Sequence, residues 1–326
     1  MVTAPLTASL PLIVLVGPTA VGKTGLAISL AQAVGGEIVG ADSRQVYRQM
    51  NTGTAKPTPE QQRTVPHHMI DLVDPDETLS LAEYLDGAYA HIDAIHQRGG
   101  VPLLVGGTGQ YITALIDGWS VPKAAPDAAF RAEMERLAAV HGRGVLAERL
   151  RNLDPDAETF VDMRNPRRVI RALEVIRATG KPFSAQRAKT PPPYRVLHYG
   201  LTMARERLYA QADQRVNAMI AQGFIDEVQQ LLTHGYSADL PSMSALGYRE
   251  IAAYVENRTS LDEAVQAIYS ATHDFIRRQY TWFRKHNADA EWLDKDTLDF
   301  PAWLQTVQAR LAHHPAGGDG DFSQGK

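Results

Sequence analysis

An apolar run at residues 12–16 leads straight into Gly17-Pro18-Thr19-Ala20-Val21-Gly22-Lys23-Thr24, and this junction constrains the fold more than any other stretch. The octet fits G-x-x-x-x-G-K-[ST]. The run before it reads as a buried strand, and Leu26, Ala27, Leu30, Ala31 and Val34 after it recur at helical spacing. Strand, glycine loop and helix are the context in which such a loop wraps phosphate. Glycines let successive backbone N–H groups turn toward an anion, the helix N-terminus adds partial positive charge, and Lys23 adds a full one. The Thr24 hydroxyl suits Mg²⁺ bound to the same phosphates. The octet therefore reads as the seat of a di- or triphosphate.

Downstream, strand and helix signals alternate. Gly35-Gly36 ends the first helix, and 37–40 is a short strand running into Ala41-Asp42-Ser43-Arg44-Gln45-Val46-Tyr47. Residues 53–59 and 65–76 read as loops, with His67-His68 in the second. Ser80-x-x-Glu83 is a capping box, after which Leu81, Tyr84, Leu85, Ala88, Ile92 and Ile95 mark one helical face. Gly99-Gly100 stops that helix. A buried strand at 101–105 then enters Gly106-Gly107-Thr108-Gly109-Gln110-Tyr111, a second glycine turn opening a helix. Alternation over 12–117 predicts an α/β fold, a parallel sheet with helices on both faces. In such sheets ligands meet the carboxyl ends of strands, which places Asp42 and Ser43 near the phosphate loop.

The pattern changes near Ser120. From 120 to 190 it is helical only, broken at Pro126, Gly142, Asp154-Pro155, Pro166 and Gly180, and Pro191-Pro192-Pro193 closes the segment. One more strand is expected at 195–203, then helices from 205 to 312. The expected organisation is a flexible leader at 1–10, a core domain of 11–119 and 191–314, a helical insertion at 120–190, and a disordered tail at 315–326. The insertion carries 14 Lys and Arg against 9 Asp and Glu in a chain of net charge −4, an asymmetry that suits a polyanionic partner. The absence of cysteine excludes disulfides and thiolate metal sites. No apolar stretch approaches the roughly 20 residues of a membrane span, so the expected location is cytoplasmic, with no membrane partner.

Several side chains are candidates for chemistry. Spacing leaves Asp42 open as general base, as indirect Mg²⁺ ligand or as the cap of its turn. Thr108 can contact a substrate or cap its helix, and spacing slightly favours the cap. Arg164-Asn165-Pro166-Arg167-Arg168-Val169-Ile170-Arg171 holds four arginines within eight residues and no acid. Leu173, Val175 and Ile176 supply the core face there, which projects the arginines outward together, as phosphate contacts require. A second basic stretch, 275–285, interleaves aromatics with cations, and its aromatics are explained by core packing. His67-His68 lacks metal-ligand spacing and suits loop hydrogen bonding. Arg215 and Gly247-Tyr248-Arg249 show nothing special by spacing.

Taken together, the motifs resemble the bacterial tRNA dimethylallyltransferase (tRNA isopentenyltransferase) family. The matching stretches are 17–24, 41–47, Asn51-Thr52-Gly53-Thr54-Ala55-Lys56-Pro57, Pro66-His67-His68-Met69-Ile70-Asp71 and 102–111. The series continues in the family's order with Arg171-Ala172-Leu173-Glu174-Val175, Leu246-Gly247-Tyr248-Arg249 and Arg278-Gln279-Tyr280-Thr281-Trp282. The resemblance implies a P-loop-kinase-like core with a helical insertion. It implies a loop that holds the diphosphate of dimethylallyl diphosphate, and an acceptor that is N6 of the adenosine just 3′ of the anticodon in tRNA. The anticodon arm is expected between the two parts, its adenosine flipped out of the stack.

By the same resemblance Asp42 is the general base, and Thr108 contacts the reacting centre. Gly17, Pro18, Thr19, Ala20, Val21, Gly22, Lys23 and Thr24 hold the diphosphate with Arg215, and Thr24 holds Mg²⁺. Contacts to tRNA transfer to Asp42, Ser43, Arg44 and Gln45, to Arg167, Arg168, Val169, Ile170 and Arg171, and to Phe130, Ser244, Gly247, Tyr248 and Arg249. Arg44 departs from the family pattern, where a small or apolar residue is usual. The enzyme is expected to be a monomer. Competing readings are a relative that prenylates free adenine nucleotides, a P-loop nucleoside kinase or NTPase, and an RNA-binding protein with a relic loop. The insertion and its arginines count against the first of these, and the lack of a second hydrophobic run ending in Asp counts against the kinase unless Asp42 plays that part.

Overall fold

The computed structural model describes residues 10–313 apart from 123 and 187. Of the expected leader only Leu10 falls within it, and Leu10 opens the first strand; the expected tail lies outside the described residues. The chain forms β1 (Leu10–Val16), α1 (Lys23–Val34), β2 (Gly36–Ala41), α2 (Pro59–Thr64), β3 (His67–His68), α3 (Leu81–Gln97), β4 (Val101–Gly106) and α4 (Gly109–Ile116). Helices α5 (Ala128–His141), α6 (Gly144–Leu153) and α7 (Pro166–Thr179) follow, then β5 (Tyr194–Thr202). The chain ends with α8 (Arg205–Ala221), α9 (Phe224–Thr233), α10 (Tyr248–Val255), α11 (Leu261–His286), β6 (Glu291–Asp294) and α12 (Phe300–Ala312).

Among the described residues six strands pair in parallel in the order β3-β2-β4-β1-β5-β6. Strands β1 and β4 read as unbroken apolar runs because they are central: Leu12 to Val16, Leu103 and Leu104 are fully buried. The C-terminal ends of β1, β2 and β4 lead into the phosphate loop, the Asp42 turn and the second glycine turn. Helix α3 starts at the expected box, where Ser80 Oγ accepts the Glu83 N–H at 3.2 Å and Glu83 accepts the Ser80 N–H at 2.8 Å. A second core, built on Val46, Tyr47, Met50, Phe224, Tyr248, Ile251 and Ile268, packs the segment after Asp42 against α9, α10 and α11.

Three elements depart from the expectation. The loop expected at 53–59 runs to Thr58, and α2, whose N-cap Thr58 forms a capping box with Gln61, then fills the stretch before the next expected loop, where the sequence reading places no element. The stretch expected to be helical to 312 contains β6, and His67-His68 forms β3 at the opposite edge of the sheet.

Cα packing divides the described residues into two compact units, one running to residue 113 and resuming at 193, the other of residues 114–192. The second unit is helical between the expected breaks, with Asn165 capping α7 and Gly180 ending it in a left-handed conformation. Its ends meet in an antiparallel bridge between Trp119 and Lys189. Phe130, Met134, Leu146, Leu150, Val169, Ile170 and Leu173 fill its interior. Glu174 is buried beside them, answered by Arg131 through two bonds of 2.8 Å, by Arg171 at 2.6 Å and by the Asp127 N–H at 2.7 Å. An interior carboxylate is tolerated only with such pairing.

Candidate functional site

The phosphate loop bends where its glycines sit. Gly17 has φ 149°, and a Cβ there would run into the Leu201 carbonyl. Gly22, at φ 99°, caps α1, whose first turn carries no acidic side chain to compete with a bound anion. Lys23 donates from Nζ to the Pro18 carbonyl at 2.7 Å. Burial, reinforced by the nearby Arg215 charge and opposed by Asp42, pulls the Lys23 ammonium down to about 7. An arriving anion favours its charged form.

Helices α8 and α11 close over this loop. Arg215 donates from Nη2 to Thr19 Oγ1 at 2.6 Å, and its buried Nε has no partner among the described residues. One turn earlier, Gln211 donates to the Ala20 carbonyl. From α11, the Gln279 side chain accepts the Thr19 N–H at 2.8 Å. Lys295, after β6, lies against Gly22.

Asp42 follows β2. Its Oδ1 accepts the Arg44 N–H at 2.8 Å, so the carboxylate does brace its own turn. Thr108 serves differently from the helix cap that spacing favours: its Oγ1 accepts the Ser43 N–H at 2.9 Å and lies 3.4 Å from the Ser43 hydroxyl. The second glycine turn is thereby tied to the residue beside Asp42. Gln45 donates to the Thr54 and Ala55 carbonyls, both at 3.1 Å. That 51–57 loop is held from below by Glu227, which accepts the N–H groups of Asn51, Thr52 and Gly53 and the Tyr248 hydroxyl.

Two cavities meet here. One, of about 250 Å³, is lined by Lys23, Thr24, Asp42, His67 and Arg215. The other, of about 420 Å³, is lined by Ser43, Arg44, Thr108, Ser244, Phe275, Arg278 and Trp282. Thr19, Asp42, Thr54, Gly107 and Arg215 belong to both walls. His67 donates from Nδ1 to the Val65 carbonyl, which leaves Nε2 as a buried lone pair without a partner among the described residues. Burial lowers its pKa.

The remaining expected residues separate into two sets. Ser43, Arg44, Gln45 and Ser244 surround the cavities, and Arg249 is exposed nearby in sequence. In the helical unit Arg167 and Arg168 are exposed on α7, as is Arg164 before it. Phe130, Val169 and Ile170 are instead core residues, 4%, 1% and 5% exposed, and their side chains hold that unit together. Arg171 is engaged by Glu174 and the Ala124 carbonyl. Tyr248 is fully buried, and Gly247 caps α10 at φ 89° with Phe224 filling the space of a Cβ. Phe130, Val169, Ile170 and Tyr248 face the protein interior because the helical period assigns them to the core face. Nothing in the sequence marks Gln211, Glu227 or Lys295 as a site residue, and Gln279 stands in the family-like stretch 278–282 with no role assigned to it; spacing alone gives no signal for a residue that acts on a loop distant in sequence.

A parallel sheet with a glycine loop after β1, a carboxylate after β2 and a second glycine turn after β4 defines a P-loop-kinase-like protein. The description of the family model that matches residues 45–286 is IPP transferase. The chain is 56% identical over 276 residues to a tRNA dimethylallyltransferase of Roseiflexus sp. (strain RS-1), covering 85% of this chain and 90% of that one. It is 47% identical over 291 residues to a tRNA dimethylallyltransferase of Dehalococcoides mccartyi, with coverage of 89% and 90%. Among solved structures, the full-length tRNA isopentenylpyrophosphate transferase of Bacillus halodurans matches with TM-score 0.67 at 39% identity, over 93% and 95% of the two chains. A eukaryotic dimethylallyltransferase solved acting on tRNA matches with TM-score 0.75 at 26% identity, over 93% of this chain and 77% of that one. The chain belongs to the IPP transferase family.

Proposed function

We propose that the protein transfers the dimethylallyl group of dimethylallyl diphosphate to N6 of the adenosine 3′-adjacent to the anticodon in tRNA, releasing diphosphate. The observation that carries the reading is the pair of cavities sharing Asp42: the phosphate loop faces one, and the Thr108 turn faces the other. A donor held by its diphosphate in the first can present its allylic carbon to a base entering through the second.

The reaction forms a C–N bond, breaks the allylic C–O bond and sheds one proton from N6. An adenine amine is a poor nucleophile because its lone pair is delocalised into the ring. The amine becomes acidic as the bond forms, and Asp42, which lines both cavities, accepts its proton at that stage. Thr108 and Ser43 hold the acceptor side of the turn. Negative charge gathers on the leaving diphosphate, where the loop amides, Lys23 and Arg215 stabilise it in a partly dehydrated cavity.

Mg²⁺ fits this site as a companion of the substrate. Among the described residues no group of three His, Cys, Asp or Glu side chains could cage a metal. The Thr24 hydroxyl and, through water, Asp42 are oxygen donors of the kind this ion uses alongside phosphates. When bound, the ion would neutralise diphosphate charge.

Exposed Arg164, Arg167 and Arg168 suit the phosphates of a tRNA arm, which favours tRNA over a free nucleotide as acceptor. Among the described residues no helix is long and apolar enough to cross a membrane, and we place the enzyme in the cytoplasm as a monomer. The test is nucleoside mass spectrometry after incubating the protein with dimethylallyl diphosphate, Mg²⁺ and an unmodified anticodon stem-loop, AMP or ATP. Dimethylallyladenosine in the stem-loop alone is expected. Product on AMP or ATP would move the acceptor to free nucleotides, and ATP hydrolysis without transfer would return the loop to an NTPase role.

A further inference from the structure

We infer that Gln279 is a positioning residue that fastens the phosphate loop to the Thr108 turn, so that donor and acceptor approach at a fixed separation. The inference rests on the prenyl-transfer reading and concerns how its two substrates are brought into register.

Gln279 projects from the middle of α11 and is 5% exposed. Its amide is used at both ends. The carbonyl oxygen accepts the Thr19 N–H at 2.8 Å, and the nitrogen donates to the Gly107 carbonyl at 2.9 Å. Those partners fix the amide's orientation, since flipping it would set oxygen against oxygen and N–H against N–H. Thr19 belongs to the loop on the donor side, and Gly107 directly precedes Thr108. Both residues line both cavities. The close approach depends on glycine: a Cβ at Gly107 would strike the Gln279 nitrogen.

One turn further along α11, Trp282 covers Gly109 and donates from Nε1 to Thr113 Oγ1 at 3.2 Å. The helix therefore grips the second turn at two levels while reaching the first loop through one amide. Bond formation needs the reacting atoms about 3–3.5 Å apart. A donor fixed to one loop and an acceptor fixed to the other meet that condition only if the loops keep their spacing.

Two variants separate positioning from plain stability. Gln279→Leu keeps volume and removes both bonds. Gln279→Glu keeps the acceptor for Thr19 and loses the donor to Gly107, regaining it when the carboxyl is protonated. With dimethylallyl diphosphate and an anticodon stem-loop, Gln279→Leu should lower kcat by about tenfold or more while KM for the donor changes by about threefold or less. The activity of Gln279→Glu relative to wild type should climb as pH falls. Wild-type kcat in both variants, or a loss that merely tracks the folded fraction seen in thermal melts with no pH-dependent recovery, would overturn the inference. Failure of the wild type to transfer would instead overturn the prenyl-transfer reading.

Discussion

At the scale of single residues, the site is a balance of charge in a partly dehydrated cavity. Lys23 and Arg215 are both held by desolvation in conditions that disfavour their charge, and Asp42 is the neighbouring acid that opposes the effect. In the reaction proposed above, the diphosphate of the donor is the anion that would favour both charges. Arg215→Ala should lower turnover on the order of 10²–10³-fold, read from diphosphate release at saturating donor. The positions of Asp42 and the glycine loop are legible in the sequence because each directly follows a strand that the sequence signals. The role of the Thr108 hydroxyl is not, because its partner Ser43 is 65 residues away. Gln279 lies within the family-like stretch 278–282, yet only the fold shows that its amide spans two loops more than 170 residues away.

At the scale of elements, long periodic segments declare themselves and short edges do not. Helix α3 carries its capping box and six buried positions at helical spacing. Strands β3 and β6 have two and four residues, too few for a period of two to register, and both are edges that exist only by pairing with neighbours. Helix α2 does carry a local signal, Thr58-x-x-Gln61 with Pro59 at its first position, but is too short to show a period. The β2–α3 contact gives a pH test. Hydrogen bonding from Arg98 leads the causes that hold the Glu37 carboxyl down at about 2, below its usual 4.5. A carboxylate with a depressed folded-state pKa stabilises the fold above its unfolded pKa and loses that contribution as it is protonated. Glu37→Gln should therefore melt below wild type at neutral pH, with the gap closing as pH falls from about 4.5 to about 2. The 51–57 loop offers a second test. Glu227→Ala strips the acceptor from three backbone N–H groups and the Tyr248 hydroxyl and should cost at least about 1–3 kcal/mol in urea denaturation.

At the scale of the molecule, an acidic chain carries a basic helical unit. Expected breaks at Gly142, Asp154-Pro155 and Gly180 follow the ends of its helices and Pro166 opens α7, since glycine and proline act locally and need no tertiary context. The expected helical period turns all four arginines of 164–171 outward, and Arg164, Arg167 and Arg168 are exposed; that Arg171 is instead tied to Glu174 required the fold. Replacing Arg167 and Arg168 by Ala should weaken stem-loop binding across sequences and reduce the salt slope by about one for each phosphate no longer neutralised. Arg171→Ala should act first on stability, because it strips a partner from a buried carboxylate. The central claim is that donor and acceptor meet at Asp42, and single-turnover transfer tests it most directly. Labelled dimethylallyl diphosphate and an anticodon stem-loop would be bound to wild type and to Asp42→Asn, with both affinities measured beforehand. Transfer slowed on the order of 10²–10⁴-fold in Asp42→Asn with binding of both substrates retained is the expected result. Transfer at the wild-type rate would contradict the assignment of Asp42 as the acceptor of the N6 proton.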